Sequence, residues 1–116
     1  MTISVTNFTG TEAVSTTEWS LTTDTSGPDT DTTIGMFQAF LDLNALAAGD
    51  VFEFKVYEKA RAADTQRLVM SARFAGAQGA PIWASPAFIL GAGWDMTLKK
   101  IAGTDRTITW SIRGVT

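Results

Sequence analysis

The stretch that decides the fold runs from Val51 to Phe74 and reads VFEFKVYEKARAADTQRLVMSARF. Apolar and polar residues alternate in its first half, residues 51–59, and again in its second half, residues 67–74. Alternation with a period of two is typical of a β-strand that is buried on one face. The polar segment 60–65 lets the chain reverse, so the sequence predicts a central β-hairpin with one apolar face. The predicted inward residues are Phe52, Phe54, Val56, Leu68, Met70, Ala72 and Phe74, and Glu53, Lys55, Tyr57 and Lys59 are placed on the opposite face of the first strand.

Three further segments carry the apolar residues that could cover this hairpin. Met36–Leu43, Trp94–Lys99 and Thr107–Arg113 each alternate with a period of two, and the last two flank the tight turn Ala102–Arg106, which predicts a second hairpin. Pro81–Leu90 is apolar but contains two prolines that cannot donate to a ladder, so it is expected to be an irregular or edge strand. The predicted inward residues are Phe37, Ala39, Leu41, Leu43, Trp94, Met96, Leu98, Ile108, Trp110 and Ile112.

The segments outside this framework are shorter or richer in turn-forming residues. Thr2–Phe8 reads as an edge strand or pairing arm that ends at Gly10, and the Thr-rich Ala13–Thr22 reads as a strand. Thr23–Gly35 is rich in Gly, Pro and Asp and predicts the longest loop. Asn44–Asp50 is too short for a stable helix, so a single helical turn is expected there.

The sum of these segments is about eight short strands with no long helical pattern. We therefore predict an all-β single domain over residues 1–116, with residues 1–10 as an N-terminal arm or edge strand. An antiparallel β-sandwich or jelly roll is the natural arrangement, and a partly open β-barrel is the alternative.

Composition excludes several classes of function. The 116 residues contain no cysteine and no histidine, which removes thiolate chemistry and the commonest general base and metal ligand. A formal net charge of −3 disfavours partners that require a positive field, namely nucleic acid and anionic membrane. The start of the chain, MTISVTNF, lacks the features of a signal peptide.

Two groups of carboxylates are candidate sites. Asp24, Asp29 and Asp31 lie close together in the predicted loop, but the run lacks the Gly and later Glu of a calcium-binding loop, so a solvated acidic turn is expected. A second group could supply the carboxyl pair of a glycoside hydrolase, but Glu53 falls on a predicted solvent face. Its members are Asp42, Asp50, Glu53 and Glu58. We expect no catalytic residue, no metal site and no cofactor.

The four tryptophans raise the possibility of sugar binding, because sugars stack on flat aromatic faces. Trp94 and Trp110 fall on apolar strand faces and are predicted to be core residues, whereas Trp19 is ambiguous. Trp83 lies between two prolines, so it is expected to be exposed as either a carbohydrate platform or an interface anchor.

Two long runs resemble a group of small proteins encoded in the structural-gene regions of tailed bacteriophages. The runs are FQAFLDLNALAAGDVFEFKVYEKARAADTQRLV at residues 37–69 and GAGWDMTLKKIAGTDRTITWSIRGV at residues 91–115. The group shows a similar "FLDL-ALAAGD" segment, a "YEK…QR" hairpin and a "GWD-TLKK-AGTDR-I-WSIR" ending. These are packing and turn motifs without a chemical signature, they span about two-thirds of the chain, and residues 1–35 are less distinctive.

The resemblance implies a non-enzymatic virion structural protein, made in the host cytoplasm and carried on the particle. The role implied is head decoration or cement, with the major capsid protein or other virion proteins as partners and self-association into a homo-oligomer as a further possibility. A tail, collar or fibre-associated adaptor and a carbohydrate-binding module are the alternatives. The residues expected at an interface are Ile3, Val5, Phe8, Ile82 and Trp83.

Overall fold

The structure is a computed structural model that describes residues 5–115, and within that range it contains ten β-strands and no helix. The strands are β1 (Val5–Val14), β2 (Trp19–Ser20), β3 (Thr25–Ser26), β4 (Gly35–Asp42), β5 (Val51–Glu58), β6 (Arg67–Ala75), β7 (Ile82–Ala84), β8 (Phe88–Leu90), β9 (Asp95–Ala102) and β10 (Arg106–Val115). None of the described residues forms a helix that is long and apolar enough to cross a membrane.

Over residues 5–115 the strands form two antiparallel sheets of five strands each. Sheet A has the order β1-β10-β4-β7, and β8 also pairs with β4; sheet B has the order β3-β2-β9-β5-β6. The two sheets are not closed into a barrel, so the predicted all-β sandwich is confirmed and the alternative of a partly open barrel is not needed.

The core lies between the two sheets and is built from the inward positions of their long strands. Most of the alternations in the sequence are confirmed, because the predicted inward residues of β4, β10 and the first half of the central hairpin are fully or almost fully buried. The largest completely buried side chains include Phe37, Leu41, Leu43, Phe52, Phe54, Trp94, Met96, Leu98, Ile108 and Ile112.

The central hairpin forms as β5 and β6, with one departure on β6. The register shifts between Val56 and Tyr57, so that Val56 pairs with Met70 whereas Tyr57 pairs with Leu68. The extra residue in β6, Val69, turns the end of the strand over, which is what a β-bulge does. Leu68 was predicted to face inward and instead is exposed.

The predicted second hairpin is wrong. β9 and β10 are joined by three residues but lie in different sheets: β9 pairs with β2 and β5, and β10 pairs with β1 and β4. The connection is a corner of the sandwich. Asp50 stabilises this corner, since its carboxylate accepts hydrogen bonds from Thr104 N (3.0 Å) and Arg106 Nε (2.7 Å).

Gly10 does not end the first strand, as the sequence suggested. β1 continues through Gly10 to Val14 and pairs with β10 along its whole length. The predicted strand Ala13–Thr22 is consequently divided between the end of β1 and the two-residue β2. Glycine at position 10 leaves room for a core side chain beneath the strand rather than breaking it.

Two other expectations concern the segments between the long strands. Asn44–Asp50 forms turns, closed by Leu46 N to Leu43 O and Asp50 N to Ala47 O, and not a helical turn. Pro81–Leu90 is an edge segment as predicted, because β7 and β8 are short and both pair with β4. Asp95 and Thr97, which alternate with the inward residues of β9, are buried as well, because the chain around β2 and the loop after it cover them.

Candidate interaction surface

The outer face of sheet A presents an apolar row across four strands. The register places Val5 of β1 opposite Val115 of β10, Val115 opposite Met36 of β4, and Met36 opposite Ile89 of β8. All four side chains are between 48% and 82% exposed. We call these four residues the apolar row.

Ile34 extends the apolar row at the start of β4. It is 74% exposed, and it lies against Gly91, where an added Cβ would come 2.8 Å from Ile34 Cγ1. Single exposed apolar residues are ordinary on a protein surface, but a contiguous apolar patch indicates an interaction site. Five of the large exposed hydrophobic residues lie together at this end of one sheet.

A cation–π contact borders the apolar row. The Arg113 guanidinium lies 3.9 Å from the centroid of the Phe40 ring, and Arg113 Nε donates to Ser111 Oγ at 3.1 Å. These two contacts hold the guanidinium flat on the sheet, because a cation over an aromatic face is attracted to it. The charge is thereby kept beside the apolar row rather than over it.

The other end of the same face is a shallow groove of about 630 Å³. Hydroxyl groups line it, and Thr109 Oγ1 and Thr11 Oγ1 are hydrogen-bonded to each other at 3.1 Å. The other lining residues come from β1, β4, β7 and β10, and they include Thr9, Phe40, Asp42, Ile82, Ser111 and Arg113. The outer face of sheet A therefore changes from apolar at one end to hydroxyl-rich at the other.

The five residues expected at an interface are divided by the structure. Val5 belongs to the apolar row, and Ile82 is exposed at the rim of the groove. Phe8 instead packs inward, with its ring 5.8 Å from that of Trp94. Ile3 lies outside the described residues.

Trp83 was expected to be exposed, and this expectation is wrong. Its ring packs edge-on against Phe54 at 5.2 Å and Phe74 at 4.9 Å between centroids. β7 pairs with β4 in sheet A, and the side chain crosses the interior to the aromatic residues of sheet B. Trp83 is therefore half-buried against the core rather than exposed on the surface.

The other three tryptophans also have defined roles in packing. Trp94 and Trp110 are core residues, as predicted from their strand faces. Trp19 is half-buried, and its Nε1 donates to Asp24 Oδ1 at 2.9 Å. This contact holds the acidic loop, which carries Asp24, Asp29 and Asp31, against β2.

The acidic loop is held by hydrogen bonds within the protein. Asp29 accepts from the hydroxyl groups of Thr23 and Thr25, and Asp31 Oδ1 accepts from Thr33 N at 2.8 Å. Among the described residues there is no group of three or more His, Cys, Asp or Glu side chains that could hold a metal ion.

The four carboxylates that could supply a catalytic pair each contact a different part of the fold. Asp42 accepts from Asn44 N, and Glu58 accepts from Gly91 N and Ala92 N. Glu53 is buried under Arg73 and Lys55 on the face of β5 that was predicted to be open to solvent.

Asp50 has the most strongly shifted pKa of these four carboxylates. Hydrogen bonds from Thr104 N, Arg106 and Ala47 N, in that order of importance, lower the pKa of Asp50 to about 2. The position is a structural clamp on the corner between the sheets.

Asp95 was not singled out by sequence reasoning, because it alternates with apolar residues and looked like an outward position. It is completely buried, and it accepts from Ser20 Oγ, Thr22 Oγ1 and Asp29 N at 3.0, 2.7 and 2.8 Å. Burial raises the pKa of Asp95 even though these hydrogen bonds oppose the shift. The side chain anchors the acidic loop onto β9.

No protein-family model and no curated protein sequence matches this chain. Among solved structures, the chain is similar to the Yersinia pseudotuberculosis-derived mitogen (YPM), with 11% sequence identity and a TM-score of 0.43. The similarity covers 97% of this chain and 86% of the mitogen chain. Similarity at this level carries no argument about function.

Proposed function

We propose that this protein is a structural component of a tailed-bacteriophage particle that decorates the assembled head and stabilises it, without catalysing a reaction. The sequence resemblance over residues 37–69 and 91–115 supports this role. The surface feature that supports it is the apolar row, an uncharged strip that a protein partner can cover without burying an unpaired charge.

The size of the exposed patch favours a particular kind of partner. A patch of a few hundred Å² is typical of functional surfaces on monomers, whereas a stable binary interface buries about 800 Å² on each partner. The four-residue apolar row and Ile34 are too few to form such an interface alone. A weak contact that is repeated on a closed shell still stabilises the assembly, because many copies act between fixed neighbours.

The occupant proposed for the apolar row is the exposed surface of the major shell protein where neighbouring subunits meet. Bridging two subunits would raise the barrier to their separation. An adaptor at the tail, collar or fibre is the second candidate, since the same resemblance to phage structural proteins supports it.

The experiment compares particles with and without the protein. Particles are stripped of it, heated, and the temperature of genome release is measured before and after purified protein is added back. We expect stripped particles to release their genome at a lower temperature and added protein to restore the difference. Equal release temperatures, with the protein found only at the tail, would exclude the cementing role and favour the adaptor.

Variants of the apolar row test whether this surface is the contact through which the protein stabilises the particle. Met36→Lys and Ile89→Lys should fold normally and fail to rebind stripped particles, because each places a charge in the contact. Thr107→Lys is the matched control, since Thr107 is exposed on the same sheet away from the row. Rebinding by all three variants with equal affinity would show that the row is not the contact.

A further inference from the structure

The edges of the two sheets are not equally protected against pairing with another strand. A sheet edge exposes unpaired backbone groups, and proteins protect it with short strands, proline, inward or edge charges, or bulges. Over residues 5–115, three of the four edges carry such features. β3 has two residues, β7 and β8 have three each with prolines beside them, and β6 has a bulge and two arginines.

β1 is the least protected of the four edges, since its one such feature is the inward-facing Glu12 near the end of the strand, whose carboxylate accepts from Ala13 N at 3.0 Å. Its ten residues, VTNFTGTEAV, contain no Lys, Arg or Pro, and Glu12 is the one charged residue. No backbone-to-backbone hydrogen bond among the described residues joins β1 to any segment other than β10. A regular strand of roughly 34 Å therefore exposes one side of its backbone.

We infer that β1 of one copy pairs antiparallel with β1 of a second copy, about a two-fold axis at Thr9. Such pairing joins the two copies of sheet A into one continuous sheet. Directly opposed residues in antiparallel strands point to the same face of the sheet. The outward residues of β1 have odd numbers, so each must lie opposite an odd-numbered residue of the second copy. The residue numbers of an opposed pair must therefore have an even sum. The register about Thr9 satisfies this condition and uses residues 5–13 of both copies.

The side chains of β1 are compatible with themselves in this register. Phe8 lies opposite Gly10 of the second copy, so no two large side chains of β1 are directly opposed on the inner face of the joined sheet. Glu12 lies opposite Thr6 of the second copy, so no like charges are opposed. Val5 lies opposite Ala13 of the second copy, which pairs two apolar residues at each end.

A second copy is preferred to an unrelated strand because the contact closes on itself. Both copies contribute the same edge, and pairing removes both edges at once. The axis is perpendicular to the sheet, so the two outer faces point the same way, with their apolar rows offset by about 27 Å along the strands. On the proposed function, the pair would be a bivalent ligand for a surface, but the pairing itself does not depend on that function.

Single cysteines test the register in the free protein, because the natural chain has none. Thr9→Cys should form a disulfide-linked dimer on mild oxidation, since directly opposed residues bring their Cα atoms within the 4.4–6.8 Å that a disulfide requires. Asn7→Cys and Thr11→Cys should each crosslink poorly alone, because identical positions are then about 14 Å apart. A mixture of these two variants should crosslink efficiently, since residues 7 and 11 are opposed.

Thr107→Cys gives the rate of random collision, because Thr107 is exposed on the neighbouring strand β10. Equal crosslinking of all four single variants would overturn the proposal, as would preferential crosslinking of Asn7→Cys or Thr11→Cys alone. All four substituted positions are exposed, so none of the four cysteine variants should be destabilised by loss of core packing.

Light scattering on the protein without cysteines provides a second measurement. We expect the mass to increase from one chain to two with concentration, and Thr9→Lys to shift the equilibrium toward monomer by placing like charges at the axis. Thr107→Lys should leave the equilibrium unchanged. A wild-type protein that stays monomeric up to millimolar concentration would overturn the inference and leave the edge to a strand of another protein.

Discussion

Trp110 lies with its ring directly against the backbone of Gly10, its partner in the β1–β10 ladder. A Cβ at Gly10 would overlap the ring at Cζ2 and stand 2.9 Å from Cε2. The indole Nε1 donates to Leu21 O at 2.9 Å, so the ring is fixed from both sides of the sandwich. Glycine in the middle of β1 is thus a requirement of the core.

Gly10→Ala should destabilise the protein by about 1–3 kcal/mol, because the ring cannot move away without losing its hydrogen bond. Urea denaturation followed by tryptophan fluorescence would measure the change. Thr9→Ala is the control, since Thr9 is exposed on the outer face, and it should change the midpoint little. Equal midpoints for the two variants would show that the core tolerates a methyl group at position 10.

Trp83→Ala should unfold more easily than wild type, by about 3 kcal/mol, through loss of its contacts with Phe54 and Phe74. The neighbouring exposed residue Ile82 is the control, and Ile82→Ala should cost less than about 0.5 kcal/mol. Thermal denaturation would distinguish the two. If Trp83→Ala kept the wild-type stability, its ring would have to be a surface feature after all.

The hydrogen-bonded carboxylate of Asp50 predicts that the folded state loses stability in acid. Its folded pKa of about 2 is below its ordinary value near 3.8, so its contribution to stability is present above about pH 4. That contribution is lost as the pH falls from 4 toward 2. Asp50→Asn should be less stable at neutral pH and should lose less stability across this window. Denaturation midpoints measured at intervals from pH 7 to 2 would check the slope, and parallel curves would contradict the prediction.

Asp95 predicts a pH dependence of the opposite sign. Because burial raises its pKa, its protonation favours the folded state, and this contribution is lost as the pH rises through the folded pKa. Asp95→Asn should remove that component.

The same substitution should also loosen the acidic loop. An amide cannot accept from Ser20, Thr22 and Asp29 together, and a lost buried hydrogen bond costs about 1–3 kcal/mol. Hydrogen exchange at the Asp29 amide should accelerate more than exchange in β10. Unchanged protection at Asp29 would show that the loop is held by other contacts.

The sequence by itself determined which side of most strands faces the core. Alternation identifies a face directly, and this is why Phe52, Phe54 and Val56, and likewise Ile108, Trp110 and Ile112, were placed correctly. It also identified the edge character of Pro81–Leu90, since proline lacks the donor that a central strand needs.

Tertiary structure alone decided which strand pairs with which, because periodicity encodes a face and not a neighbour. β9 and β10 are adjacent in the chain yet belong to different sheets, and Asp50, distant in sequence, holds their connection. The sequence did not reveal the burial of Asp95 or the partial burial of Trp83 for the same reason, since both contact segments far away in the chain. The apolar row likewise exists only because the ladder registers bring one residue from each of four strands into line.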